Sequence, residues 1–286
     1  MTTFAPRASR HAPRLRRRSA IPGFTLTFGL TLTALCLIVL IPLAAVISRS
    51  AGLGMGGFIA AAFSDRALRA YELSVSCSLI GATVNGVFGL VTAWVLVRYA
   101  FPGRALLNAV IDLPFALPTA VAGVALAGLY GGTGWIGAAL APLGVKTAYN
   151  RVGIVIALTF VGLPFVVRTV EPVLRDLATD VEEAAASLGA GRLSTVARVI
   201  LPALAPAWIT GFALAFARAV GEYGSVIFIA GNMPYRTEIA PLLITIELEQ
   251  FDFASASAIA AVMLGVAFVM LLTINAIQAW ASRSSR

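Results

Sequence analysis

The chain has 286 residues, of which 59% are hydrophobic and only 12% are charged, and its formal net charge is +8. In soluble domains about a quarter of the residues are charged, so this composition excludes an ordinary soluble domain. The apolar residues fall in blocks close to the roughly 20 residues that a membrane-spanning helix needs. We therefore expect a protein embedded in a lipid bilayer that does not bind nucleic acid.

Six continuous apolar blocks predict six spanning helices, because the strands of a membrane barrel would be shorter and alternating. The blocks cover residues 24–47, 72–97, 105–130, 152–170, 208–229 and 255–280. Basic residues divide 14 to 6 between the two sides, with Arg218 inside a span, and the side richer in Arg and Lys is expected to be cytoplasmic. The prediction is an all-α membrane protein with both termini cytoplasmic. It has a basic tail over residues 1–20, a spanning domain over 21–281 and a short tail over 282–286.

The sequence offers little for catalysis. His11 is the single histidine and lies in the basic tail, so a histidine triad or zinc site is not expected. Cys36 and Cys77 lie in apolar blocks and suit a packing role. The single lysine, Lys146, does not follow a glycine as a P-loop requires. We expect no enzyme activity and no bound cofactor or metal. If the chain takes part in uphill transport, a separate ATPase must therefore supply the energy.

Polar residues and prolines interrupt three of the predicted spans. Pro114 and Pro118 in the third span each remove a helix hydrogen bond, and the kink that results suits either a gate or a helix that never moves. Asn85 in the second span is expected to bond between helices. Arg218 and Glu222 in the fifth span are four residues apart and can pair. That pair either holds the bundle together or offers a guanidinium to a passing anion.

The connector over residues 171–207 is far longer than a hairpin needs. Its apolar residues follow helical spacing in two short runs, before and after Gly189. Two short amphipathic helices outside the membrane need a surface on which to bury their apolar stripes. That surface is either the bilayer and the helix ends of this chain, or a partner protein.

This connector resembles the EAA loop of permease subunits of bacterial ABC importers. The resemblance rests on six residues at the spacing of that motif, although Val199 stands where the family usually has Ile: Glu183, Ala184, Ala185, Gly189, Leu201 and Pro202. It implies a type I ABC importer permease fold. It also implies that the helix bearing the motif is a coupling helix, which inserts into a cleft on a cytoplasmic ATPase.

Further stretches are similar to the T-type permeases of sulfate and thiosulfate importers. They cover residues 112–119, 221–232 and 248–252, and the likeness extends over nearly all of 21–280. Permeases for molybdate and tungstate share the pattern over 216–222, so they are the alternative. An ion-coupled secondary transporter is a weaker alternative, since no internal repeat is evident.

This resemblance implies partners and a pathway. The partners are an ATPase dimer that uses ATP and magnesium, a second permease that is favoured to be a paralogue, and a periplasmic sulfate-binding protein. The location is the bacterial inner membrane. The residues expected to line the translocation pathway or gate are Arg218, Glu222, Tyr223, Ser225, Pro114 and Pro118.

Overall fold

A computed structural model of the protein describes residues 24–177 and 179–284. The predicted tail over residues 1–20 and the last two residues of the chain lie outside these ranges. The described residues are helical, without a strand, and six helical segments are long and apolar enough to cross a membrane. These segments are Leu26–Ala51, Asp65–Arg98, Thr119–Leu143, Arg151–Asp176, Arg192–Val220 and Phe253–Ala276. The predicted all-helical architecture with six spans is confirmed.

The chain divides into two compact units, Met1–Ala45 and Val46–Arg286. Most of helix α1 (Phe24–Ala51) belongs to the first unit, and the other helices belong to the second. Its longer helices are α3 (Asp65–Arg98), α4 (Arg104–Ala116), α5 (Thr119–Tyr130), α7 (Arg151–Asp176), α10 (Leu201–Val220) and α13 (Phe253–Ser284). Its shorter helices are α2 (Gly54–Ala62), α6 (Trp135–Leu140), α8 (Thr179–Ser187), α9 (Arg192–Thr195), α11 (Val226–Ile229) and α12 (Ala240–Glu249).

Helices α3 and α7 run parallel and in close contact. Gly81 lies against Leu158, and eight residues further along both helices Gly89 lies against Val166. A Cβ atom added at Gly89 would stand only 2.7 Å from the Cβ of Val166, so only glycine permits this approach. Small residues at such contacts let helix backbones pack closely in a membrane, where dispersion contacts replace the hydrophobic effect.

Helix α10 completes the core by running antiparallel to α7. Gly211 of α10 lies against Val166, whereas Ala215, one turn later, lies near Gly162, one turn earlier on α7. The parallel α3–α7 pair and the antiparallel α10 match a chain in which successive spans alternate in direction.

Asn85 does not form the interhelical bond that its position suggested. Its side chain is buried between α3 and α7, against Gly162, and neither its amide nitrogen nor its amide oxygen has a partner in the described part of the chain. The contact is a close one against Gly162, which has no side chain to offer a hydrogen bond. The prediction of a bond at Asn85 was therefore wrong.

Two of the predicted spans are broken. The third span divides into α4 and α5 at residues 117–118, because Pro118 has no N–H to continue the helix, whereas Pro114 lies within α4. The predicted fifth span continued to residue 229, but α10 ends at Val220. The reason is local: a carboxylate oxygen of Glu222 accepts bonds from the backbone N–H and the hydroxyl of Ser225, both at 3.0 Å. Such side-chain bonds compete with helix continuation.

Helix α12 is fixed to α3 by polar contacts. Arg66 donates two hydrogen bonds to the buried carboxylate of Glu238, at 2.8 and 2.6 Å. The backbone N–H of Ala240 donates to the hydroxyl of Ser74 at 2.8 Å. After α12, Asp252 accepts a bond from the backbone N–H of Ser255, which lowers the pKa of its carboxyl group and caps the start of α13.

Candidate functional site

The predicted pairing of Arg218 and Glu222 is confirmed, although the two residues do not share a helix. Arg218 lies in the last turn of α10 and Glu222 lies beyond its end, with Nη1 and Oε2 2.5 Å apart. The Glu222 side chain is 2% exposed, whereas that of Arg218 is 37% exposed. The carboxylate is therefore fixed inside the protein by Ser225, whereas the Arg218 side chain that pairs with it is partly exposed.

The break in the fifth span packs against the break in the third. Gly224 lies against Thr119, the first residue of α5. One turn later, a Cβ atom added at Gly123 would lie 2.6 Å from the carbonyl oxygen of Ser225. The structure thus brings Pro118, which precedes Thr119, close to the segment that holds Glu222, Tyr223 and Ser225. We call the cluster formed by Pro118, Arg218, Glu222, Tyr223 and Ser225 the break site.

Pro114 lies apart from the break site, one turn earlier on α4. Nearby on the same helix, Asp112 accepts two hydrogen bonds from Arg168 of α7, at 2.8 and 2.7 Å. Arg168 also pairs with Glu171, which in turn pairs with Arg175. Sequence reasoning assigned no role to this network. The signal that could have found it is the opposite charge of Asp112 and Arg168 on two apolar helices, because charges within a bilayer pair with one another.

Both polar clusters are electrically balanced. The break site pairs one arginine with one glutamate, and the network around Arg168 pairs two arginines with two carboxylates. A neutralised guanidinium attracts an anion less strongly than a free one, because the adjacent carboxylate cancels most of its field. Such a site can contact a passing anion without retaining it. No cluster of His, Cys, Asp or Glu able to hold a metal ion occurs within the described ranges.

Four of the six predicted coupling residues lie on a largely exposed segment. Helix α8 carries Glu183, Ala184 and Ala185, and the Glu183 side chain is exposed. Gly189 ends this segment with a φ of +83°, a conformation that favours glycine. Leu188, beside it, is 88% exposed.

Leu201 and Pro202 are the first two residues of α10. The predicted coupling loop is shorter in the structure at both ends. Its first residues, 171–176, continue α7. Its last part, from Arg192, forms one continuous helical segment with α10, Arg192–Val220. A π-helical turn at Val196–Ile200 lies within that run. The segment between the long helices therefore consists mainly of α8 and the turn at Gly189.

Comparison with known proteins identifies the family. Residues 85–286 match the family described as the binding-protein-dependent transport system inner membrane component. The chain belongs to this family. As an inner membrane component of a transport system with six apolar helical segments, it is a multi-pass membrane protein.

Curated relatives of this inner membrane component extend over its whole length. The sulfate transport system permease protein CysT of Synechocystis sp. is 46% identical over 283 residues, which is 99% of both chains. The proteins of the same name from Salmonella typhimurium and Escherichia coli are each 46% identical over 261 residues, covering 91% of this chain and 94% of theirs.

Solved structures share its fold. A bacterial alginate ABC transporter, in complex with an alginate-bound periplasmic protein, superimposes with a TM-score of 0.73 at 17% identity, covering 89% of this chain and 94% of the other. The MetNI methionine ABC transporter in an inward-facing conformation superimposes with a TM-score of 0.57 at 15% identity, covering 75% of this chain and 95% of the other. The ABC importer permease fold predicted for this inner membrane component is confirmed.

Proposed function

We propose that this chain is a permease subunit of an ATP-driven importer that carries sulfate across the bacterial inner membrane. The observation that carries the proposal is the 46% identity to a sulfate transport system permease over 99% of both chains. Thiosulfate, also a small sulfur oxyanion with two negative charges, is proposed as a second substrate of the same pathway. Both termini are proposed to be cytoplasmic.

The break site is the proposed point of contact with the anion. A helix interrupted within a membrane is tolerated where it is buried in protein or lines a cavity. Two interrupted helices meet there, and Arg218, in the last turn of one of them, is a partly exposed cation. Glu222 lowers the affinity of Arg218 for the anion, so the anion binds weakly and can leave the site.

Energy for uphill transport is proposed to come from a partner. A cytoplasmic ATPase dimer, which uses ATP and magnesium, would receive α8 through its exposed face around Glu183 and Leu188. A second permease, proposed to be a paralogue, would complete the pathway, and a periplasmic sulfate-binding protein would deliver the anion. In this assembly the chain itself does not hydrolyse ATP.

The test is uptake of radiolabelled sulfate by cells in which this chain is deleted and then restored. We expect uptake to be lost on deletion and recovered on restoration. Unlabelled thiosulfate should compete with sulfate, and unlabelled molybdate should compete weakly. Persistence of uptake after deletion, in cells without a second sulfate system, would reject the proposal, and strong competition by molybdate would reject the assignment of the anion.

A further inference from the structure

Helix α8 is weakly attached to the rest of the chain. It has only nine residues, too few for a stable isolated helix, and its neighbour Leu188 is exposed. Of the side chains that the structure describes in α8, Glu182 alone forms an ion pair or hydrogen bond with a spanning helix. Its carboxylate binds the guanidinium of Arg98, the last residue of α3.

Arg98 is held in place to receive this carboxylate. Its guanidinium lies over the ring of Trp94, 5.9 Å from the centroid, one turn earlier on α3. Its side chain is 19% exposed and that of Glu182 is 32% exposed. Water screens such a pair less than a fully exposed one. The buried Nε of Arg98 has no partner among the described residues, so the ion pair depends on the outer nitrogens of the guanidinium.

An open cleft lies between α8 and the membrane helices beside this ion pair. Its volume is about 330 Å³, and its lining includes Trp94 of α3, Glu182 and Ala186 of α8, and Ile200 of the π-helical turn. Close packing would resist any displacement of α8 relative to α3. With open space on this side, and apart from the chain connections at either end of α8, the Arg98–Glu182 pair is the ion pair among the described residues that can transmit a displacement of α8 to α3.

Helix α3 is suited to pass such a displacement on. It packs closely against α7 through Gly81 and Gly89, and its opposite end binds Glu238 through Arg66. A shift applied at Arg98 therefore acts on a helix that is fixed to the core and to α12. Glu183, the next residue after Glu182, is exposed and does not take part in the ion pair with Arg98.

We propose that the Arg98–Glu182 ion pair is the positioning link that couples movement of α8 to α3, which leaves Glu183 free for the partner protein. This inference rests on the proposed function, because it assumes that α8 docks to an ATPase. It divides the roles of two adjacent glutamates, of which one faces its own chain and the other faces the partner.

The test is a charge exchange in the full complex reconstituted with its ATPase, second permease and binding protein. The variants are Arg98→Glu, Glu182→Arg and the two combined, and the measured quantity is sulfate transported per ATP hydrolysed. We expect each single reversal to lower this ratio about tenfold and the combination to restore most of it, as contacting charges are strongly coupled. Glu182→Gln, which removes the charge without reversing it, should give a smaller loss.

Asp176→Arg provides the control, since Asp176 is exposed near α8 and has no ion partner in the described ranges. This variant should leave the ratio unchanged. The proposed link would be overturned if the combined variant, in complexes that assemble normally, transported no more sulfate per ATP than the worse of the two single variants. If the unaltered complex hydrolyses ATP but carries no sulfate, the proposed function fails. The same charge-exchange variants are then compared by how strongly the binding protein stimulates their ATP hydrolysis, which tests the Arg98–Glu182 link independently of sulfate.

Discussion

Gly123 of α5 lies directly against the backbone of Ser225, beyond the end of α10. A Cβ atom added at Gly123 would stand 2.6 Å from the carbonyl oxygen of Ser225 and 2.9 Å from its Cα. Because a backbone cannot move aside as a flexible side chain can, this contact fixes the distance between the two helix breaks. The geometry of Arg218 and Glu222 depends on that distance, since Ser225 holds the Glu222 carboxylate.

Replacing Gly123 with Ala should therefore disrupt the break site. Overpacking of this kind costs about 1–3 kcal/mol, and we expect sulfate uptake to fall about tenfold while the protein still inserts into the membrane. Gly128→Ala on the same helix is the matched control, because no atom lies within 4 Å of a Cβ at that position. Equal uptake by the two variants would show that the contact with Ser225 has no role.

Removing the cation of the break site should impair transport without dissociating the complex. Arg218→Gln loses a charged hydrogen bond, which contributes about 1.5–3 kcal/mol, and we expect sulfate uptake to fall at least tenfold. Arg236→Gln, an exposed arginine in the loop before α12, should have no effect. Complex assembly is measured by co-purification of the ATPase. Loss of co-purification in Arg218→Gln would instead assign the pair a structural role.

The turn after α8 permits a comparison of two glycines that differ in backbone conformation. Gly189 has a φ of +83° and Gly191 a φ of −71°, and neither has an atom within 4 Å of an added Cβ. A side chain in the left-handed region costs about 1–2 kcal/mol, so Gly189→Val should shift α8 and uncouple ATP hydrolysis from transport. Gly191→Val should remain coupled. Normal coupling in Gly189→Val would contradict the role assigned to α8.

Asn85 should be a site at which an apolar replacement stabilises the protein. A buried polar group without a partner costs about 1–3 kcal/mol, and Leu has nearly the same branched shape as Asn. We expect Asn85→Leu to raise the melting temperature of the purified protein. Asn108→Leu should lower it, because the side-chain oxygen of Asn108 accepts a bond from Arg168 at 3.1 Å. A lower melting temperature for Asn85→Leu would indicate that its amide has a partner in the folded protein.

Much of the fold was predictable from the sequence because long apolar blocks have few alternatives in a bilayer. The pairing of Arg218 with Glu222 followed from their spacing and opposite charge. The end of α10 at Val220 did not, since it depends on the local bonds between Glu222 and Ser225. Contacts between distant segments, such as Arg98 with Glu182, could not be predicted either, because residue spacing along one helix does not specify which residues of another helix face it.

The most direct test of the central claim is transport by purified components. The complex of this chain with its ATPase and second permease would be reconstituted in proteoliposomes, with the binding protein and radiolabelled sulfate on one side and ATP on the other. The account predicts sulfate accumulation that requires both ATP and the binding protein and that unlabelled thiosulfate inhibits. ATP hydrolysis without sulfate accumulation, or accumulation driven by an ion gradient in the absence of ATP, would contradict it.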